Sequence, residues 1–191
     1  MNTRTQWAVI GGVVAVLGLS LWFASVKLGD ELFPLAIGAE APGFSAVPVP
    51  ESGATAPVAA TAAKSIDDYK GSVVLLNIWR TDCAPCRIEM PSMQRLHEQL
   101  AAKGLKIVAV SIDDPGLERK IQAFADEYKL TFEILHDAPA RIRQQYQTTG
   151  VPETFIVGRD GRIRRRIIGS DDWSSASNIA FIERLLAEPA G

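Results

Sequence analysis

The feature that most constrains this chain is a pair of cysteines set between a buried strand and a helix. Ser72-Val73-Val74-Leu75-Leu76-Asn77-Ile78-Trp79 is a nearly continuous apolar, β-branched run, the pattern of a strand covered on both faces. Cys83-Ala84-Pro85-Cys86 follows it, and from Pro85 onward Met93, Leu96 and Leu100 recur at helical spacing until Gly104 closes the segment. These are the only 2 cysteines among 191 residues, too few for the disulfide scaffold of a small secreted domain. A globular composition, 47% apolar and 22% charged, argues against disorder, and a net charge of -2 gives no basic footprint for nucleic acid.

The same alternation continues downstream. Leu105–Ile112 reads as a second buried strand, and Asp113-Asp114-Pro115 as the opening of a second helix with Leu117, Ile121, Phe124 and Ala125 on one face. Leu130–Leu135 is a third apolar run and Arg141–Tyr146 a short helix. Pro152–Val157 and Ile163–Ile168 flank Gly158-Arg159-Asp160-Gly161, a hairpin turn, and a last helix is predicted from about Trp173 to Ala187. Strand, helix, strand, helix, strand, short helix, hairpin and helix imply an α/β fold, a central mixed sheet flanked by helices. A core of that size needs no disulfide to hold it, which leaves both cysteines for chemistry.

A Cys-x-x-Cys pair at a helix start has the spacing of a disulfide, and the unpaired N–H groups of that terminus stabilise a thiolate on Cys83. Arg80 and Arg87 are expected to add to this and Asp82 to oppose it. The rival readings are a structural disulfide, a zinc site and an inert pair. So short a loop stabilises little. Zinc would need two further ligands, and only His97 and His136 are available as imidazoles.

The N-terminus points to the compartment. From Trp7 to Val26 there are twenty uncharged residues, enough to span roughly 30 Å as a helix, the thickness of a bilayer core. Arg4 and the amino terminus precede the run, which favours a cytoplasmic N-terminus. The expectation is residues 1–28 as cytoplasmic tip and transmembrane signal-anchor, 29–38 as juxtamembrane linker and 39–191 as the folded domain. Within it, 51–64 is a flexible Ala/Pro-rich insert. A cleaved signal peptide and a buried core helix are the alternatives. With either of the first two, the domain lies on the periplasmic or extracytoplasmic side of the cytoplasmic membrane, where thiol exchange has a use.

Taken together, Asn77 through Pro91 resembles the active-site stretch of the membrane-anchored thioredoxin-like proteins of the TlpA/ResA/CcmG (DsbE) group. Gly150-Val151-Pro152-Glu153-Thr154-Phe155-Ile156-Val157 resembles their cis-proline segment, and Ala41-Pro42-Gly43-Phe44 their entry strand. The resemblance runs from about Ala39 to the C-terminus. It implies a thioredoxin-like fold and thiol-disulfide exchange outside the cytoplasmic membrane. One departure is Asp82, where the group normally carries Trp before the first cysteine.

Roles follow from position and from the resemblance. Cys83, first at the helix end, is expected to attack, and Cys86 to resolve the mixed disulfide. Glu89, three residues beyond Cys86, is a candidate general base for it; the resemblance implies the same role, and a solvated first-turn glutamate is the plain alternative. By resemblance Asn77 stands where ordinary thioredoxins carry a buried acid. Val151-Pro152 is the expected cis peptide beside the cysteines, the alternative being a trans proline that opens a strand. Val151, Pro152 and Glu153 are candidate substrate contacts, although Glu153 also suits a polar strand edge. The run Arg159, Arg162, Arg164, Arg165, Arg166 suits either anionic partners or a solvated edge strand, and Trp173 reads as helix-end packing.

The resulting expectation is a tethered thiol-disulfide oxidoreductase with a reducing bias. Its substrates would be disulfides in exported proteins, such as apocytochrome c during cytochrome c biogenesis. A transmembrane electron donor would re-reduce the Cys83–Cys86 disulfide, because no cofactor motif is present. A peroxide-reducing enzyme fits poorly, since no Pro-x-x-x-Thr-x-x-Cys pattern surrounds Cys83. A thiol oxidase or isomerase and a non-catalytic interaction domain stay open as alternatives.

Overall fold

The structure is a computed structural model that describes residue 7, residues 11–23, 35–50 and 62–189. The chain divides into two units between Ala36 and Ile37. In the first, residues 11–23 are helical with exposed side chains, among them Val14, Leu17, Leu21 and Phe23. Those 13 residues reach about 20 Å, and among the described residues no helix is long and apolar enough to cross a membrane. The remainder of the expected anchor, residues 8–10 and 24–26, lies outside the described residues, as do 51–61 of the expected insert.

The second unit is built on one six-stranded mixed sheet. Its elements are β1 (Val47–Pro48), β2 (Val73–Trp79), α1 (Ala84–Leu100), β3 (Leu105–Ser111), α2 (Glu118–Tyr128), β4 (Glu133–His136), α3 (Ile142–Gln145), β5 (Glu153–Val157), β6 (Ile163–Ile168) and α4 (Ala176–Ala187). The strand order is β1-β4-β3-β2-β5-β6. β2 pairs parallel with β3 and antiparallel with β5, so the strand that leads to the cysteines is central. All seven of its residues are buried, which is why the run is apolar on both faces and its one polar member, Asn77, needs partners.

Residue alternation sorts the two faces. Val73, Leu75 and Trp79 of β2, Ile107 and Ala109 of β3 and Ile156 of β5 join Met90, Met93 and Leu96 of α1 in one apolar cluster, with Ile121 and Phe124 of α2 and Ile182 and Leu185 of α4. On the other face Phe155 meets Tyr146 edge-on, with ring centroids 4.9 Å apart.

Two helix starts differ from the sequence pattern. The second helix begins at Glu118 rather than at Asp113, because Asp113 is wholly buried and accepts hydrogen bonds from Thr81 and Ser111. Gly116 makes the intervening turn at φ 85°. The last helix begins at Ala176, capped by the Ser175 hydroxyl, which accepts from Asn178 N–H; Trp173 lies in the loop before it. The third apolar run becomes a strand only from Glu133, its earlier residues forming the turn after α2.

The edge strand β6 carries the arginine run, and each guanidinium is occupied within the fold. Arg159 donates to the Gly71 and Leu186 carbonyls, Arg162 to that of Gly38, and Arg164 to Asp160. Arg165 stacks 3.7 Å over Phe181 and Arg166 pairs with Glu153. Backbone bonds from Gly38 to Ile163 and from Ile163 to Ala39 cover the start of the edge, which blunts it against further pairing.

Candidate active site

The site sits where β2 ends and α1 begins. Cys83 is the N-cap of α1, with φ -92° and ψ 110°, and its Sγ accepts from Cys86 N–H at 3.2 Å. Pro85 lies in the first turn, where no N–H is required. The two cysteines are joined in a disulfide with Cα atoms 5.3 Å apart. Cys83 keeps 9% of its surface exposed and Cys86 none, so an incoming thiol or disulfide reaches only the first sulfur. The N–H that now meets Cys83 Sγ would stabilise a thiolate there after reduction.

The neighbouring charges correct the expected electrostatics. Arg80 donates to the Asp82 carboxylate through Nε at 2.9 Å and to the Ile112 carbonyl. That hydrogen bond holds the Asp82 carboxyl below its usual range. Arg87 bonds Glu127 at 2.8 Å and lies over the Phe124 and Tyr128 rings. Both guanidinium groups are therefore satisfied by carboxylates, and Asp82 is offset by Arg80. The helix terminus is what remains to favour a Cys83 thiolate.

Behind this loop, Asp113 fixes its path. Its carboxylate accepts from Thr81 N–H at 3.0 Å, Thr81 Oγ1 at 2.7 Å and Ser111 Oγ at 2.7 Å. The sequence offered Asp113 only as a helix opener, and nothing local marks it as the anchor of residues 80–83.

Glu89 lies one turn below Cys86 and is 1% exposed, not a solvated first-turn carboxylate. Its Oε1 accepts from Asn77 Nδ2 at 2.8 Å and its Oε2 from Trp173 Nε1 at 3.1 Å. Asn77 Nδ2 also donates to Thr154 Oγ1 at 2.9 Å. Burial pushes the Glu89 carboxyl up to about 7, against the pull of the Trp173 and Asn77 donors, which favour the charged form. The structure thus joins Glu89 to Asn77 and Trp173, and Asn77 in turn to Thr154. Trp173 is the residue the sequence reading missed: a tryptophan before a helix carries no signal of the partner it meets 84 residues earlier.

The Val151-Pro152 peptide is cis, and the Val151 carbonyl oxygen lies 3.5 Å from Cys83 Sγ. Val151 is half-buried and Pro152 buried. Glu153 is not in this groove. It is fully buried on the opposite face of β5 from Thr154, paired with Arg166, and accepts from Thr149 N–H at 3.0 Å. Arg166 also bonds the Gln147 carbonyl, so Glu153 steadies the loop that leads to Pro152 and cannot touch a substrate. Among the described residues, no group of three or more His, Cys, Asp or Glu side chains could hold a metal ion.

The AhpC/TSA family model matches residues 37–166. The chain belongs to the AhpC/TSA family. It is 32% identical over 168 residues to the thiol-disulfide oxidoreductase ResA of Oceanobacillus iheyensis, covering 87% of this chain and 83% of that protein. It is 42% identical over 107 residues to the thioredoxin-like protein YneN of Bacillus subtilis, 56% of this chain and 62% of YneN. ResA of Geobacillus thermodenitrificans is matched over 59% of its length. Among solved structures, a thiol:disulfide interchange protein DsbE candidate from Chlorobium tepidum superposes with a TM-score of 0.67 at 25% identity, over 80% of this chain and 99% of that one. StoA of Bacillus subtilis, at 20% identity and a TM-score of 0.57 over 80% and 98%, shares the fold.

Proposed function

We propose that this chain, a thiol-disulfide oxidoreductase with a thioredoxin-like fold, reduces disulfides in exported polypeptides. The observation that carries the reading is the division of labour at the α1 terminus: a first cysteine that keeps 9% of its surface open, a second with none, and a buried carboxylate a turn below the second. In the reduced protein the Cys83 thiolate attacks a substrate disulfide, forming a mixed disulfide and releasing one substrate thiolate. Cys86 then passes its proton to Glu89 and attacks Cys83 Sγ, which forms the Cys83–Cys86 bond and releases the second substrate thiolate. The substrate gains two electrons and two protons, and the protein loses the same. Val151, with its carbonyl beside Cys83 Sγ, and Pro152 line the place where the substrate chain would lie. Each turnover leaves the Cys83–Cys86 pair oxidised, so an external dithiol, fed from across the membrane, would restore the reduced pair.

The tether and the location belong to the same proposal. The uncharged run from Trp7 to Val26 and the exposed apolar side chains of helix 11–23 support an N-terminal anchor with the folded unit on the extracytoplasmic side. The family resemblance of the active-site stretch supports apocytochrome c cysteines as the substrate. The test is the reduction potential of Cys83–Cys86, measured on the full chain in detergent by equilibration with dithiothreitol buffers and thiol alkylation. A value near roughly -270 mV supports a reductase, and one near roughly -120 mV overturns it in favour of an oxidant.

A further inference from the structure

The loop between β6 and α4 is fastened to α1 over Glu89. Trp173 N–H donates to Ser92 Oγ at 3.0 Å, and that hydroxyl donates to the Glu89 carbonyl at 2.7 Å. Arg95 holds the next residue through Ser174 Oγ at 3.0 Å. The Trp173 ring is fully buried within the apolar cluster that includes Cys83, Cys86 and Met90. A buried indole could be satisfied by a backbone carbonyl, yet this one donates to the buried carboxylate one turn below Cys86.

We propose that Trp173 is a positioning residue of the exchange reaction: its indole N–H fixes Glu89 Oε2, and its ring seals the carboxylate from water. The inference rests on Glu89 being the acceptor of the Cys86 proton. Two neutral side-chain donors, the Asn77 amide and the Trp173 indole, hold one carboxylate oxygen each, and the Asp171 backbone also favours the charged form. Neither donor can itself supply or absorb the proton that is transferred. Because both favour the charged form, they oppose the burial that disfavours it, and together they set where the carboxylate switches. The other titratable groups facing Glu89 are Cys86 on its own helix and Asp171 in the Trp173 loop, whose charge acts against ionisation. From β2 and β5 only Asn77 and Thr154, both neutral, reach the cluster.

The test follows the second chemical step in the full-length reduced protein, with a nitroaryl disulfide as probe. Cys83 takes up one aryl thiol, and the later release of the second, coloured thiolate reports attack by Cys86. In the wild type this rate should rise with pH through a midpoint near the Glu89 value, about 7. Trp173→Phe keeps a ring but removes the N–H. It should move the midpoint up by about one pH unit and slow release about tenfold below it, with an unchanged plateau above it. Glu89→Gln should abolish the midpoint near 7 and leave only a rise at higher pH, where Cys86 ionises unaided. An unmoved midpoint in Trp173→Phe, with Glu89→Gln behaving as expected, overturns the role of Trp173 alone. A Glu89→Gln profile identical to the wild type overturns the proton-acceptor reading beneath it. Should Trp173→Phe fail to fold, the wild type still decides. In the oxidised protein the Trp173 indole proton resonance must titrate with the same midpoint as the Glu89 carboxyl, and a resonance that ignores pH overturns the proposal.

Discussion

On the α1 side of the sheet, Glu89 is 1% exposed and accepts from two neutral donors, Asn77 and Trp173. On the other side Glu153 is 0% exposed and meets a permanent cation, Arg166, together with the Thr149 N–H. The residue type and the degree of burial are the same, and the two carboxylates lie on strands or helices that flank one redox pair. The charge of the partner separates them. Burial raises the Glu89 carboxyl to about 7 against the pull of its neutral donors, whereas the Arg166 guanidinium makes Glu153 a strut between β6 and the loop before Pro152.

The largest expected effect lies upstream of both carboxylates. Cys83→Ala should reduce disulfide-reductase turnover to the uncatalysed background, and Cys86→Ala should trap substrate on Cys83 as a conjugate visible on a non-reducing gel. An active Cys83→Ala would remove the whole scheme.

Breaking the strut comes next. Arg166→Ala leaves the Glu153 charge buried without its partner and should cost about 3 kcal/mol or more in urea unfolding. The pH midpoint of the Cys86 step should nevertheless stay where it is. If that midpoint moves as it does for changes around Glu89, the contrast between the two faces fails.

The third effect is a pH dependence of stability in the oxidised protein. The Glu89 carboxyl is raised from 4.5 to about 7 on folding, so between those values the folded chain holds a proton that the unfolded chain has lost. Stability is therefore greatest below the lower value and declines as pH rises through the upper one, by about 3 kcal/mol in all. Denaturant midpoints measured from about pH 5 to about pH 8 should fall accordingly in the wild type and stay flatter in Glu89→Gln.

The smallest effect tests the residue that departs from the resembling group. Asp82 is exposed and bound to Arg80, so Asp82→Ala should change Cys83 alkylation by less than about threefold. A larger change would mean that Arg80 does not offset it.

How much of this was legible beforehand follows from the range of each signal. β6 was read with its observed bounds, Ile163–Ile168, because the Gly158-Arg159-Asp160-Gly161 turn marks its start. The α1 terminus was legible for the same reason, since Cys83, Pro85 and the following apolar spacing are all local. Asp113 and Trp173 were read as a helix opener and as helix packing because their roles depend on Thr81 and Glu89, which lie 32 and 84 residues away. Glu153 was placed in the groove because it adjoins Pro152 in sequence. Strand alternation turns it to the far face, where Arg166 waits on the neighbouring strand.

The sequence by itself therefore determined the central strand, the redox spacing at a helix start and the presence of a glutamate one turn beyond it. These depend on backbone periodicity and on groups within a few residues of each other. Only the tertiary structure decided which sulfur is reachable, which arginines already pair with carboxylates, and which of two buried glutamates meets neutral donors and which a guanidinium. Those outcomes depend on burial and on the charge of partners brought together across the sheet, and neither is encoded by spacing along the chain.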